Sequence, residues 1–346
     1  MKKIILVISL IVISFAVMGE EKKGHIVMFY NLENLFDIYD DPVVRDDEFT
    51  PEGPKEWTQT KYEKKLSNIE SVIYALAASK KNFPAIIGVS EVENRRVLDD
   101  LVSTPKLAKA NYQIVHYDSP EARGVDVALL YRPDVFQYIK SDPFQPIIPD
   151  RPGFKTRDIL AVYGTIEGEL FCFFVNHWSS RIGGAEQSEF LRCGCAKTLK
   201  DYTDSIQVAH PDIKIVIMGD MNDDPKDKSM AEVLDAKEKM SKVEKGGMFN
   251  PFWSMQKAGY GTLGYQDSWS LYDNMIVNSN LLPDKGVGEL RILKGARGKF
   301  YGNVFKRPFM VQAEGKYKNY PWRTFSGNTF LGGYSDHFPV YIEVGK

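Results

Sequence analysis

The sequence predicts an α/β sandwich, and three observations carry that prediction. Short apolar runs of strand length recur along the chain, helices with one apolar face lie between them, and no linker divides the series into two parts. The chain has 346 residues, 43% hydrophobic and 26% charged, which is enough apolar content to close one large core. One large domain is the simplest organisation, with two small domains as the alternative. A formal net charge of -2 excludes a uniformly basic nucleic-acid binder and leaves room for a local basic face.

The N-terminus reads differently from the rest. Lys2 and Lys3 precede an apolar run from Ile4 to Val17, then Met18-Gly19 and the charged Glu20-Glu21-Lys22-Lys23. A positive start, an apolar stretch and a polar boundary form the pattern of a secretory signal peptide. The run is shorter than the roughly 20 residues a spanning helix needs, so cleavage near Gly19 is favoured over a retained anchor. No cysteine follows it for lipid attachment. Residues 1–19 are therefore expected to be a leader and 20–346 the folded domain, secreted or periplasmic.

Strands are expected at His25 to Tyr30, Ala85 to Val89, Tyr112 to Tyr117, Val125 to Tyr131, Ile159 to Ile166 and Leu170 to Asn176. Three more follow at Ile213 to Met218, Asn274 to Val277 and Phe338 to Val344. Several are continuously apolar, as in strands covered on both faces. Leu66, Ile69, Val72, Ile73, Leu76 and Ala77 share one face of a helix over about Lys61 to Lys80. Glu186 to Val208 and Ser229 to Lys239 are further helix candidates. Met240 to Gln266 shows no period and reads as a surface excursion that could shape a substrate site. Of the three cysteines, Cys172 reads as a core residue, while Cys193 and Cys195 could pair with each other or elsewhere.

Polar residues recur where the apolar runs end. Phe29-Tyr30 leads into Asn31-Leu32-Glu33-Asn34, Val89-Ser90 into Glu91-Val92-Glu93-Asn94, Val175-Asn176 into His177-Trp178, and Ile217-Met218 into Gly219-Asp220-Met221-Asn222. Any one of these is an ordinary turn. Together they suggest a site, because strand ends on one side of a sheet gather where ligands bind.

The ordered set Asn31, Glu91, His177, Gly219-Asp220-Met221-Asn222, Tyr272-Asp273 and Ser335-Asp336-His337 resembles the endonuclease/exonuclease/phosphatase superfamily. The resemblance spans nearly the whole mature chain. It implies a four-layer α/β/β/α sandwich, with two mixed β-sheets face to face and helices outside, and a metal-dependent phosphoesterase. Magnesium is the implied cofactor, with Mn2+ or Ca2+ as alternatives, because a hard cation favours oxygen ligands. By resemblance Glu91 is the principal metal ligand, with Asn31 and Asp336 close by. Glu33 is a further candidate on the same strand face, or a solvated strand end.

The catalytic assignments follow the same resemblance. Asp220 orients or deprotonates the attacking water, and Asn222 holds that water or a phosphate oxygen if the strand continues through both. His337 contacts the phosphate, with Asp273 fixing its tautomer. His177 protonates the leaving oxygen or donates to the phosphate. Asp126, an acid inside an apolar run, requires a partner, and the deoxyribonuclease branch suggests His177. Arg157 and Arg181 are candidate phosphate contacts, with surface arginines as the alternative.

For substrate, the segment from Lys285 to Arg323 interleaves basic residues with Phe300, Tyr301, Phe305, Phe309, Tyr317, Tyr320 and Trp322. Such a segment suits a nucleic-acid groove, and a secreted endonuclease is the first expectation. A phosphatase or phosphodiesterase of inositol phosphates or phospholipid headgroups is the second, and a catalytically silent binding protein the third. The partner is thus nucleic acid or another phosphoester, with no stable protein partner and a monomeric chain.

Overall fold

The computed structural model describes residues 24–295 and 298–346, so the expected leader and Arg297 lie outside the described residues. The first part of the chain forms β1 (His25–Leu35), α1 (Gln59–Lys80), β2 (Ile86–Val92), α2 (Arg95–Val102), β3 (Gln113–His116) and β4 (Asp126–Tyr131). The middle forms β5 (Phe136–Phe144), β6 (Ile159–Ile166), β7 (Glu169–His177), α3 (Glu189–Ala209) and β8 (Lys214–Asp220). Then come β9 (Ala236–Lys237), β10 (Met248–Phe249), α4 (Trp253–Lys257), and the hairpin β11 (Leu263–Tyr265) and β12 (Ser268–Ser270). Last are β13 (Asp273–Asn278), β14 (Arg291–Leu293), β15 (Asn303–Val304), the hairpin β16 (Phe325–Ser326) and β17 (Thr329–Phe330), and β18 (Val340–Gly345).

Two large sheets result. One has the order β14-β18-β1-β2-β4-β3, with β15 also on β18, and the other β5-β6-β7-β8-β13-β10-β9. Each is mixed: β1 with β2 and β7 with β8 are parallel, while β18 with β1 and β13 with β8 are antiparallel. Their strands are apolar on both faces because both faces are covered. Val27, Phe29, Val127 and Leu129 meet Phe173, Val175, Val216 and Met218 in a central core between the sheets. The opposite parity of the first sheet, including Met28, Ile87 and Leu130, packs with Leu66, Ile69 and Leu98 of α1 and α2. On the far side, Phe174, Ile215 and Ile217 pack with Leu199 of α3. Helices, sheet, sheet and helix form the four layers. The central layer is tight: a Cβ on Gly88 would lie 2.5 Å from the Met218 sulfur.

Three sequence expectations change. Ser229 to Lys239 is not a helix: one wide turn, Ser229–Val233, buries Met230, a left-handed Asp235 breaks it, and Ala236 joins the sheet. Met240 to Gln266 is not a surface excursion, since Val243, Met248, Phe249, Phe252 and Met255 are buried core residues in segments too short to show a period. α2 and β5 are additional elements. Asn94 caps α2 by accepting from the Val97 N–H at 3.2 Å, and β5 shows no apolar run because it is a largely exposed edge strand. All three cysteines are free, with Cys172 and Cys195 buried. Among the described residues no helix is long and apolar enough to cross a membrane.

Candidate active site

The site is the open end of the central core. Side chains alternate along a strand, so parity decides which polar end residues face between the sheets. Phe171, Phe173 and Val175 face the central core, and His177 continues their parity. Val216 and Met218 do the same for Asp220, and Val277 and Met275, read backwards, for Asp273. Register then sets these residues side by side: His177 pairs with Asp220, and Asp220 with Asp273. In the opposing sheet, Val27 and Phe29 lead by the same parity to Asn31.

Glu91 arrives by a different device. In the β2–β4 ladder Ser90 pairs with Val127 and Val92 with Asp126, so Glu91 is an extra, unpaired residue with φ 58. A bulge re-aims a side chain that simple alternation would turn to the helix layer. Left-handed conformations at Glu33, Asn34 and Asn222 mark the other strand ends of the site. For non-glycine residues each costs about 1–2 kcal/mol, which the local hydrogen bonds offset. The Asn34 N–H donates to Glu91 Oε2 at 2.9 Å, and the Asn222 N–H to Asp220 Oδ1 at 2.9 Å.

The side chains converge across the mouth. Asn31 Nδ2 donates to both Glu91 Oε1 and Asp220 Oδ2 at 3.1 Å, and its Oδ1 accepts from the Glu33 N–H. His177 Nε2 lies 3.7 Å from Glu91 and 3.8 Å from Asp220. His337 Nε2 lies 3.8 Å from Asp220 and 3.9 Å from Asp336, while its Nδ1–H donates to Asp273 at 2.7 Å. Ser335, unassigned from sequence, ties together two contributions of the first sheet: its hydroxyl donates to the Asn31 carbonyl at 2.7 Å and accepts from the His337 N–H at 3.1 Å.

Charge follows from this packing. Burial pushes the Asp220 carboxyl up to about 6, opposed by His337 and reinforced by Asp273 and Glu91. Burial would lower His337, but Asp273, Asp220 and Asp336 outweigh it and hold the imidazole well above its usual range, so it is cationic. Burial, then the Arg157 and Arg123 charges and His337, drive His177 well below its usual range, so it is neutral. Its Nδ1 is buried without a partner.

Several expected residues sit elsewhere. Asp126 does not meet His177: its Oδ2 accepts from His116 Nε2 at 3.2 Å and its Oδ1 from the Ser119 N–H and hydroxyl. Those three donors, on β3 and the loop after it, fill the carboxylate. Arg157 is no phosphate contact but a buried brace, donating to the His177 carbonyl at 3.0 Å and the Trp178 carbonyl at 2.5 Å. Arg181 is likewise committed, to the Asn222 carbonyl, Asp223 and Asp227, with the Tyr272 ring at 4.6 Å. The strand does not continue through Asn222; the chain turns, and Asn222 Nδ2 donates to the Trp178 carbonyl at 3.0 Å. Glu33 turns away from Glu91, accepts from the Thr324 N–H at 2.6 Å and lies 3.8 Å from Lys65. Burial, then Asp336, raises its carboxyl to about 7.

Two other arginines lie beside the mouth. Arg323 donates to Asp336 at 2.6 Å from a half-exposed position, and sequence showed it only as one member of a basic run. Arg123, also half-exposed, is near enough to His177 to help depress it, and no motif marks it.

The residues present fit a divalent cation. Ligand atoms of Glu91, His177 and Asp220 lie within 4.8 Å of one another, and so do those of Asp220, Asp273 and His337. Four carboxylates face one mouth, and Asp273 Oδ1 is buried without a partner. Such an excess of fixed oxygen ligands suits a hard cation.

The model of the endonuclease/exonuclease/phosphatase family matches residues 26–346. No curated protein matches the sequence. Among solved structures, the fold is similar to that of the mannosyl-6-phosphatase Bt3783 of Bacteroides thetaiotaomicron, with 18% identity, a TM-score of 0.55, and coverage of 93% of this chain and 100% of that one. It is similar to the human Nocturnin catalytic domain at 14% identity and TM-score 0.54, covering 94% and 95%. D. rerio TDP2 complexed with a single-strand DNA product aligns at 12% identity and TM-score 0.53, covering 93% and 99%. At these identities the likeness is one of fold.

Proposed function

Because the chain belongs to the endonuclease/exonuclease/phosphatase family, whose members are metal-dependent phosphoester hydrolases, we propose that it cleaves a phosphoester at the mouth of its central core. The observation that carries this reading is the in-register row of His177, Asp220 and Asp273, facing Asn31, Glu91 and His337 from the other sheet.

A divalent cation, magnesium by the oxygen-rich donor set, would be held by Glu91, with Asp220 and Asp336 at the same mouth, and would supply positive charge against the phosphate. The chain's own residues do the rest. Asp220, with its carboxyl raised toward neutrality, orients the attacking water and accepts its proton as the new P–O bond forms. The ester P–O bond breaks, and the departing alkoxide takes the proton of cationic His337, which Asp273 orients through Nδ1. Neutral His177 serves as a hydrogen-bonding group toward the phosphate. Asn31 holds the Glu91 and Asp220 carboxylates apart at fixed spacing.

Two substrate readings have support. A compact phosphorylated molecule is favoured by a small cleft opening from Asp336. A nucleic-acid substrate, as for an endonuclease, is favoured by Lys294, Lys299, Lys306, Lys316 and Lys318, all exposed on one stretch of chain. Other basic residues of that stretch are engaged internally: Arg291 donates to the Val287 and Gly286 carbonyls, and Lys285 to the Val243 carbonyl. Export and a monomeric state belong to the same proposal and rest on the leader pattern of residues 1–19 and the self-contained fold; sequencing the N-terminus of extracellular or periplasmic material tests the first.

The deciding experiment measures phosphate release and nucleic-acid cleavage with Mg2+, with EDTA, and in Glu91→Ala. We expect EDTA and Glu91→Ala each to remove activity at least 100-fold, with Mg2+ restoring the chelated enzyme. Activity indifferent to both would sink the reading.

A further inference from the structure

Beside the row of catalytic candidates a cleft of about 490 Å³ opens from Asp336 and Arg323 toward the β11–β12 hairpin. That size lies within the ~300–1,000 Å³ typical of small-molecule sites. We propose that this cleft holds the hydroxyl-rich ring of a sugar phosphate, with the phosphate lying at the mouth between the sheets. The inference deepens the phosphoesterase reading and rests on it.

Three features point to a neutral, polyhydroxylated ring. The first is a pair of tilted aromatic faces. The Tyr317 and Tyr320 rings lie 6.0 Å apart at 41°, and Tyr320 packs against β11, where Gly264 leaves room: a Cβ there would lie 2.7 Å from the ring. Such faces pack against the C–H faces of a sugar ring as readily as against another apolar surface. The second is a set of polar groups with spare capacity. Gln312, Gln266 and Asp267 line the cleft, the last two in left-handed conformations at the turn of the hairpin. Amides and a carboxylate together can donate to and accept from vicinal hydroxyls.

The third feature is the charge. Asp267 and Asp336 are the acids of the cleft, with Lys316 and Arg323 opposing them, and Arg323 is already tied to Asp336. A nucleic-acid strand would carry further phosphates past Asp267, where a carboxylate repels them. An uncharged ring meets no such penalty, and its single phosphate stays at the mouth beside His337.

The test compares kcat/KM for hexose 6-phosphates, methyl phosphate and a short oligonucleotide in the Mg2+-loaded enzyme. Hexose phosphate should exceed methyl phosphate at least tenfold. Tyr317→Ala and Gln312→Ala should each lower that ratio about tenfold, whereas Lys245→Ala, in a groove lined by other residues, should preserve it. Thermal melts of both cleft variants check that the fold is kept, and Tyr317 is half-exposed, so its truncation is mild. Equal use of hexose and methyl phosphate, a ratio unmoved in both variants, or preference for the oligonucleotide would overturn the sugar assignment and leave the phosphoesterase intact. Absence of hydrolysis on every substrate would overturn both.

Discussion

Replacing Asp273 with asparagine should disable the site while leaving the fold in place. Asp273 is buried, opens β13 opposite Asp220, and accepts the Nδ1–H of His337 at 2.7 Å. Asparagine keeps the shape and an acceptor oxygen and removes the charge. Opposite unit charges about 3 Å apart interact by roughly 5 kcal/mol at an effective dielectric of ~20. Losing the carboxylate also relieves its repulsion with Asp220, so the net loss is smaller, about 2–4 kcal/mol. That corresponds to a fall in kcat of ~30- to 1,000-fold, with KM changing little. The pH dependence has a definite sign. His337 is raised in the folded protein, so its cation is present below its folded pKa and lost as pH rises through it. Asparagine removes one of the charges that raise it, so the alkaline limb of the pH–rate profile should move to lower pH. Steady-state kinetics across pH with Mg2+, beside circular dichroism and thermal melts, reads both effects. A folded Asp273→Asn with kcat within threefold of wild type and an unmoved limb would refute the pairing as a working part.

Three further expectations test other layers. Arg123→Ala should raise KM for a phosphoester about tenfold with kcat within threefold, since a half-exposed guanidinium contributes one charge-assisted contact of roughly 1–2 kcal/mol; an unchanged KM excludes it from the phosphate's surroundings. Gly88→Ala should destabilise by ~1–3 kcal/mol in urea unfolding, because the new methyl meets the Met218 sulfur in the close-packed central layer; wild-type stability would mean that the layer yields more easily than its packing implies. Glu169→Gln should destabilise by roughly 2–3 kcal/mol at pH 7, because it leaves Lys214 buried without its carboxylate partner. Burial alone would raise the Glu169 carboxyl, but Lys214 and the N–H groups of Glu289 and Leu290 outweigh it and hold it below its usual value. Its stabilisation is therefore present above the unfolded pKa and lost as pH falls through the folded one. The gap between wild type and variant should therefore narrow as pH falls through the lowered folded pKa, and no gap at pH 7 would contradict the ion pair.

The legible part of this protein was its periodicity. Every strand read from sequence exists within a few residues of its expected bounds, because covered sheets demand apolar residues at both parities and such runs are conspicuous. The elements that escaped lack that signal. β5 is an exposed edge strand, and the core pieces between Met240 and Gln266 are each only a few residues long. The contacts of the arginines and of Asp126 escaped for another reason. Arg157 and Arg181 lie in or beside loops, where chain direction is set by tertiary packing, and the nearest acceptors, backbone carbonyls of His177, Trp178 and Asn222, carry no sequence signature. For Asp126 the resemblance points to a distant histidine, whereas the partner is His116, ten residues upstream on the neighbouring strand.

One rule joins the legible and illegible parts of the site. Where a strand enters the mouth without a bulge, the parity of its apolar residues also fixes the direction of its polar end: Val27-Phe29-Asn31, Phe173-Val175-His177 and Val216-Met218-Asp220 each step by two from core to site. Glu91 breaks the step, because Ser90 shares its parity with Gly88 and the central core, and only an unpaired residue at φ 58 brings the next side chain to the same mouth. The identity of the strand-end residue is therefore visible in sequence, whereas its direction is visible only where the ladder is regular. Glu33 illustrates the failure. It follows Asn31 by two, yet a register shift between Asn31 and Leu35 and a left-handed backbone carry it toward Thr324 and Lys65 instead of Glu91. Carboxylates at equal spacing from the core thus end in different environments, and the ladder irregularity separates a candidate ligand from a buried structural acid.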